Sequence, residues 1–326
     1  MPRFATSWLL CAGLAPLAWQ SPALGDDWPT RPVKLVVSHA PGSSTDIVAR
    51  YIATQLARGW AQPIVIENKP GGQNIIGAQA VTRASPDGYT LFYGTTSALV
   101  SNLYTIKGLP YDPVKDFVPI RFIGYSPFMI AATAGLKAST LKEALSAPGK
   151  DGTGPRVATE GAKTFSGILA NTLESMSGAR WTTVPYSKSS EALQDTIAGR
   201  TDLVVLPAIV VMNHVGQGRL KALAVSTASR LPSMPDVPAL GETFPGFGLA
   251  GWHMLAAPAG TPASVVARLN RELDTLLAKP EIARHLASLG LDTDPALSTA
   301  DQNRRFLQQE HATWQRITRQ TGLLPE

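Results

Sequence analysis

The chain holds one cysteine, Cys11, in 326 residues. A lone thiol forms no intrachain disulfide and no thiolate metal site, so stability has to come from core burial. Charge is sparse, at 16% of residues, and Arg304-Arg305 is the only adjacent basic pair. Without Lys/Arg clusters interleaved with aromatics there is no nucleic-acid footprint, and the net charge of +5 is spread thinly. Catalytic signatures are missing too. There is no Gly-x-Ser-x-Gly elbow and no His-Glu-x-x-His, and the five histidines (His39, His214, His253, His285, His311) are scattered. His285 and His311 fall in a helical tail and read as surface residues, and His214 reads as a helix-end residue. No metal site and no cofactor are expected, and the chain does not read as an enzyme.

What is present begins with residues 1–25. Arg3 supplies a positive start, Trp8 to Trp19 is an apolar stretch, and Ala23-Leu24-Gly25 puts small residues before Asp26. That order is a secretory signal peptide, too short for a membrane span. Cys11 would leave with it. A lipoprotein reading fails because Leu10 stands where a small residue is needed. The expected localisation is periplasmic.

Beyond the signal, strand-like and helix-like segments alternate. Val33–Ser38, Pro63–Asn68 and Tyr89–Thr95 read as strands, with helices over Asp46–Arg58 and Ile75–Ala84 between them. This βαβαβ order predicts a parallel sheet covered by helices. After the segment Phe117–Thr133 a second series follows. Its strands are Arg156–Glu160, Trp181–Tyr186, Leu203–Pro207 and Leu220–Ser226, with helices near Leu169, Leu193 and Val211. The tail reads as three helices, the first opening at Thr261-Pro262 with proline in the first turn. Lacking a sheet of its own, the tail is expected to pack back on the first domain. The predicted fold is therefore two Rossmann-like α/β domains around a cleft: 26–127 plus 253–326, and 128–252. The crossings are expected near Tyr125–Ile130 and Gly251–Leu255.

Four polar loops each follow a strand, two per domain. In His39–Asp46 the backbone turns at Gly42, and Ser43, Ser44 and Thr45 open a helix whose N-terminus suits a carboxylate. Asp46 would repel an anion it faced and reads as a cap that holds the loop N–H groups. Gly94–Asn102 offers Thr95, Thr96 and Asn102 as neutral donors. Thr159–Gly167 resembles a phosphate loop, but Ala162 stands where the second Gly should precede Lys163. Val184–Leu193 puts Tyr186 at a rim. Any one loop alone is equally an ordinary turn or cap. Four facing each other would surround a small ligand with backbone and hydroxyl donors.

These motifs resemble the Bug proteins, also called TctC-like, the extracytoplasmic solute receptors of tripartite tricarboxylate transporters. The matching stretches run in order from Trp28 to Pro262: WPTRPVKLVV, PGSSTD, VIENKPGGQNIIGA, SPDGYTLFYGT, LPYDPVKDF, VPY, GRLKALAVST, LPSMPDVPAL and GWHMLAAPAGTP. The resemblance implies a Venus-flytrap fold that captures a small organic carboxylate and passes it to membrane permease subunits, acting as a monomer. Carried over, carboxylate binding falls to Gly42, Ser43, Ser44, Thr45 and Asp46. Further contacts fall to Thr96 and Asn102 in the first domain, and to Thr159, Gly161, Thr164 and Tyr186 in the second. The chain departs from the family at His39 (usually aromatic), Ser43 (usually Gly), Gly167 (commonly His) and Leu206 (Asp in several members). With Leu206 at that position, the second domain shows no evident carboxylate for an ammonium group, so non-amino organic acids are expected to bind in preference to amino acids. Leu206, Trp252 and Met254 would supply apolar surface. A sensor that presents the same ligand to a signalling kinase is a competing class, separable by neighbouring genes. A secreted hydrolase is another, separable by a search for product.

Overall fold

The computed structural model describes residues 28–322, except 150, 151, 162, 163 and 246, together with residue 325. The predicted signal segment and its cleavage position lie outside the described residues. Ten strands form two five-stranded sheets. The first has the order β2-β1-β3-β10-β4, from Val33–Val37 (β1), Ile64–Asn68 (β2), Thr90–Thr95 (β3), Phe117–Ser126 (β4) and Gly251–Pro258 (β10). The second has the order β7-β6-β8-β5-β9, from Phe128–Thr133 (β5), Arg156–Thr159 (β6), Thr182–Pro185 (β7), Leu203–Pro207 (β8) and Leu220–Val225 (β9).

The β-branched runs do form strands, buried in β1 and β8 and part-exposed in β2 and β7, but neither sheet is wholly parallel. Strand β10 lies antiparallel between β3 and β4, and β5 lies antiparallel between β8 and β9. The stretch Phe117–Thr133 supplies the reason. It is two strands broken only at Pro127, so the chain leaves the first sheet as β4 and enters the second as β5 without a crossover helix. A connection without a crossover does not impose the parallel direction. The return lies just before β10: the Leu249 N–H still bonds Ser226 O at 3.0 Å, and Gly251 already pairs with Ser126 on β4. The expected crossing at Gly251–Leu255 thus belongs to β10 itself.

The helix Ser44–Ala57 starts two residues earlier than its apolar periodicity suggests, because Ser43 accepts from the Asp46 N–H and caps it. The helix Phe165–Ser177 opens on Thr164, which accepts the Gly167 N–H, and closes on Gly178 in the left-handed region. Pro262 sits just outside the helix Ala263–Leu277 as its cap residue, not in its first turn. That helix buries Val265, Val266, Leu269, Leu273 and Leu276, an i, i+4, i+8 stripe that contributes roughly 1.5–3 kcal/mol per side chain. It packs against β4, as expected for the tail. The last helix, Ala300–Thr321, does more. It packs on β4 and also meets the helix Phe165–Ser177, where the Phe165 ring lies 6.0 Å from the ring of the fully buried Trp314. The tail therefore touches both halves. Among the described residues no helix is long and apolar enough to cross a membrane.

Candidate functional site

A cleft of about 550 Å3 lies between the two sheets, at the carboxyl ends of their parallel strands. Its first wall starts with the loop after β1. Gly42 takes φ 79°, which turns the chain sharply enough to present Ser43 as the helix cap. Ser43, Ser44 and Thr45 line the cleft. Asp46 does not. Its carboxylate is turned back into the wall, where it accepts from the Gly42 N–H at 2.8 Å, from Arg50 Nε at 2.9 Å and from Asn68 Nδ2 at 2.7 Å. Burial alone would push its carboxyl up. The bonds from Arg50, Asn68 and Gly42 outweigh burial and hold it below the usual aspartate range. Asn68 Nδ2 also donates to His39 O at 3.0 Å, so one network fixes the whole loop.

The second loop behaves differently from a simple helix start. After β3 the chain makes a π-helical turn, Ser97–Ser101, before Asn102. Thr96 Oγ1 accepts the Trp252 N–H at 2.9 Å, and Asn102 Nδ2 donates to Gln73 O at 2.8 Å. Both residues line the cleft, but their polar atoms partly serve the protein. Thr95 Oγ1 and His39 Nδ1 are instead buried without a partner, and both residues line the cleft. Both atoms therefore remain open to a water or a solute in the cleft.

The floor adds His253, which the sequence reading left unassigned, to Trp252, which it named as apolar surface. His253, from β10, lines the cleft and shares a hydrogen bond of 3.1 Å with Tyr93 Oη. Burial lowers His39 to about 4, and burial together with the nearby His39 lowers His253 to about 3, so both rings are neutral at pH 7. Trp252 reaches the cleft and donates its indole N–H to Glu310 at 2.7 Å. Met254 is fully buried and does not line the cleft.

On the second wall, Thr164 lines the cleft while holding Gly161 O at 2.8 Å. Thr159 is fully buried beneath it, and Gly161, at φ 122°, shapes the turn without lining the cleft. Tyr186 also lies off the wall, its hydroxyl donating to Asp195 at 2.8 Å, and the adjacent Ser187 takes its place in the lining. Leu206 is fully buried in the core of the second sheet, opposite Met129, and Pro207 reaches the cleft instead. Phe128, Phe165, Ile168 and Val210 give this wall its apolar surface.

Glu160 is the residue most clearly missed. It follows β6 directly, at the strand end where ligands bind in such sheets, and that position was its only sequence signal. It lines the cleft and accepts a short hydrogen bond from Ser189 Oγ. Its presence corrects the premise that the second domain offers no carboxylate. Outside the cleft, His311 is half-buried against Tyr104 Oη at 3.2 Å, not a free surface residue, whereas His285 is exposed as expected. No Lys or Arg lines the cleft among the described residues.

Two α/β units enclose the cleft between their sheets. The comparisons show which proteins share this arrangement. The model of the tripartite tricarboxylate transporter family receptor (TctC) matches residues 48–323. A UPF0065 protein of Bordetella bronchiseptica is 33% identical over 315 residues, 96% of this chain and 93% of that protein. A solved R. palustris structure with adipate is 29% identical with a TM-score of 0.81, covering 92% of this chain and 100% of that one. MatC from Rhodopseudomonas palustris with bound malate is 30% identical with a TM-score of 0.75, covering 89% and 99%. The chain belongs to the tripartite tricarboxylate transporter receptor family, whose members are periplasmic solute-binding receptors and not enzymes.

Proposed function

We propose that this protein captures a small organic carboxylate between Ser43–Thr45 and the opposing wall, and hands it to the permease subunits of a tripartite transporter. The observation that carries this reading is the first wall itself. A capped helix N-terminus and two unpartnered buried polar atoms, His39 Nδ1 and Thr95 Oγ1, converge where no cation lines the cleft among the described residues. Neutral dipoles of this kind suit one carboxylate without the desolvation cost of a guanidinium. Adipate and malate in the two solved relatives support the same ligand class.

In this reading the first domain comprises 26–127 plus 253–326, and the second 128–252. The contacts with solute come from Ser43, Ser44, Thr45, His39, Thr95, Thr96 and Asn102 on one side and Thr164 on the other. Gly42, Asp46, Thr159, Gly161 and Tyr186 shape the walls from behind. Two strand-to-strand crossings permit hinge closure on the solute. The protein acts as a monomer, exported by a signal peptide cleaved before Asp26. N-terminal sequencing of periplasmic material should begin at or near Asp26, and Met1 would refute the export reading. Mass spectrometry of small molecules that co-purify with the protein tests the ligand class, with a carboxylic acid as the expected result. In a thermal-shift screen, a true ligand at ~100 times its Kd adds about 2.7 kcal/mol of stability. Failure of every carboxylate to stabilise the protein would refute the binding reading.

A further inference from the structure

Glu160 is the one acidic residue among those lining the cleft. It stands on the second wall, across the cleft from the helix N-terminus that receives a carboxylate in the reading above. One of its oxygens accepts from Ser189 Oγ, and the other has no hydrogen bond among the described residues. No Lys or Arg forms an ion pair with it among the described residues. The residue is half-buried. Burial pushes its carboxyl up, and the Ser189 hydroxyl, bonded to the carboxylate, pulls it back toward the charged form.

A carboxylate in this position governs what the cleft can close on. Closure removes water from Glu160, and an isolated charge without water or partner is costly. A dicarboxylate that spans the cleft would bring a second negative charge against it, which adds repulsion to desolvation. A solute with a protonated amine would satisfy the free oxygen and cancel the charge. The first wall, by contrast, has already spent its own carboxylate, Asp46, on Gly42, Arg50 and Asn68, and presents no free carboxylate to an amine.

We propose that Glu160 determines specificity by receiving a protonated amine, so that the solute is a zwitterion with its carboxylate at Ser43–Thr45 and its ammonium toward the second wall. This rests on the carboxylate reading of the first wall. Ser189 acts as the positioning residue that fixes which oxygen of Glu160 remains free.

Isothermal titration calorimetry with matched probes separates the two claims. Hexanoate tests the carboxylate reading alone. Adipate and ε-aminohexanoate then differ only in the far group, as do glutarate and L-glutamate in the amine near the carboxylate. The expected result is that at least one amino acid of these pairs binds the wild-type protein about tenfold or more tighter than its dicarboxylate partner. Glu160→Gln, which keeps shape and the Ser189 contact, should abolish that preference and leave hexanoate bound at least as tightly, because closure no longer strips water from an unpartnered charge. If hexanoate and the dicarboxylates bind while neither amine does better, the Glu160 proposal falls and the carboxylate reading stands. If E160Q weakens hexanoate and amine ligands equally, its role is structural and the proposal also falls. Lys163, three residues along, is covered by K163M. Amine preference that appears only in that variant would show Glu160 already paired in the wild type, and would overturn the proposal. Binding by none of the probes refutes both readings together.

Discussion

On the first wall of the cleft the acid, Asp46, points away from the solute and is nearly sealed, with 2% of its side chain exposed. It takes three hydrogen bonds, and through Asn68 it holds the His39 carbonyl as well. On the second wall the acid, Glu160, lines the cleft, and among the described residues its carboxylate has one bond, from Ser189. The same functional group thus does two jobs. In the first wall its charge is consumed in building a rigid frame of neutral donors. In the second it stays available, and that wall is otherwise apolar or lightly polar. On the proposed reading, the contrast puts a preorganised anion end in the first wall and selectivity where a carboxylate has no cation beside it among the described residues.

The sharpest way to break this comparison is to remove the frame. Asp46→Ala orphans the Asn68 amide and the Gly42 N–H, so urea denaturation should show a loss of about 3 kcal/mol, at roughly 1–2 kcal/mol per donor. Affinity for carboxylates should fall with it. Unchanged stability would mean that the loop is held by something other than Asp46. Acid sharpens the same point. Because Asp46 titrates below its ordinary value in the folded state, its stabilisation is complete above the unfolded value and is lost as pH falls through the depressed folded value. D46N should remove that part of the acid sensitivity.

The floor between the walls yields a comparable effect of opposite sign in pH. Burial pushes Glu310 up to about 7, against the pull of the Trp252 indole N–H. A carboxyl raised in this way favours the folded state when protonated, and that advantage is lost as pH rises from about 4.5 through about 7. Thermal unfolding of wild type and Glu310→Gln across pH 4 to 8 should therefore diverge. The wild type should lose on the order of 2 kcal/mol over that window, and the variant should not. Parallel curves would show that Glu310 does not carry the dependence.

A smaller effect is expected where the helix Ile75–Thr82 backs the first wall. A Cβ at Gly77 would sit 2.7 Å from Ser38 Cβ and 2.9 Å from Ser38 Cα, next to His39. Gly77→Ala has to push the helix off β1, at a cost of about 1–3 kcal/mol, and should weaken hexanoate binding through the His39 loop. Retained affinity despite the lost stability would show that the loop moves independently of that helix. The smallest effect is expected opposite. Ser189→Ala removes the one hydrogen bond to the Glu160 carboxylate among the described residues and should change stability by less than about 1 kcal/mol. Its signature is in selectivity: a narrowed gap between amino and dicarboxylate ligands. A large loss of stability would make the second wall as rigid as the first, and the contrast would fail.

Much of this was legible in the chain itself. The β-branched runs Val33–Val37 and Leu203–Leu206, the Ser and Thr caps and the Gly turns determine local structure, because period, capping and φ preference act within a few residues. The same local grammar placed Ser43–Thr45 at a helix start, and all three line the cleft. What only the tertiary structure decided is which segments face each other. Strand β10 had to come back from the second sheet before His253 and Trp252 could form the cleft floor. The face of β8 had to be chosen before Leu206 went into the core and Pro207 into the cleft, a difference of one residue in a period of two. Glu160 carried no local signal of its role, because an acid after a strand becomes a binding group only when an opposite wall deprives it of water and offers it no cation.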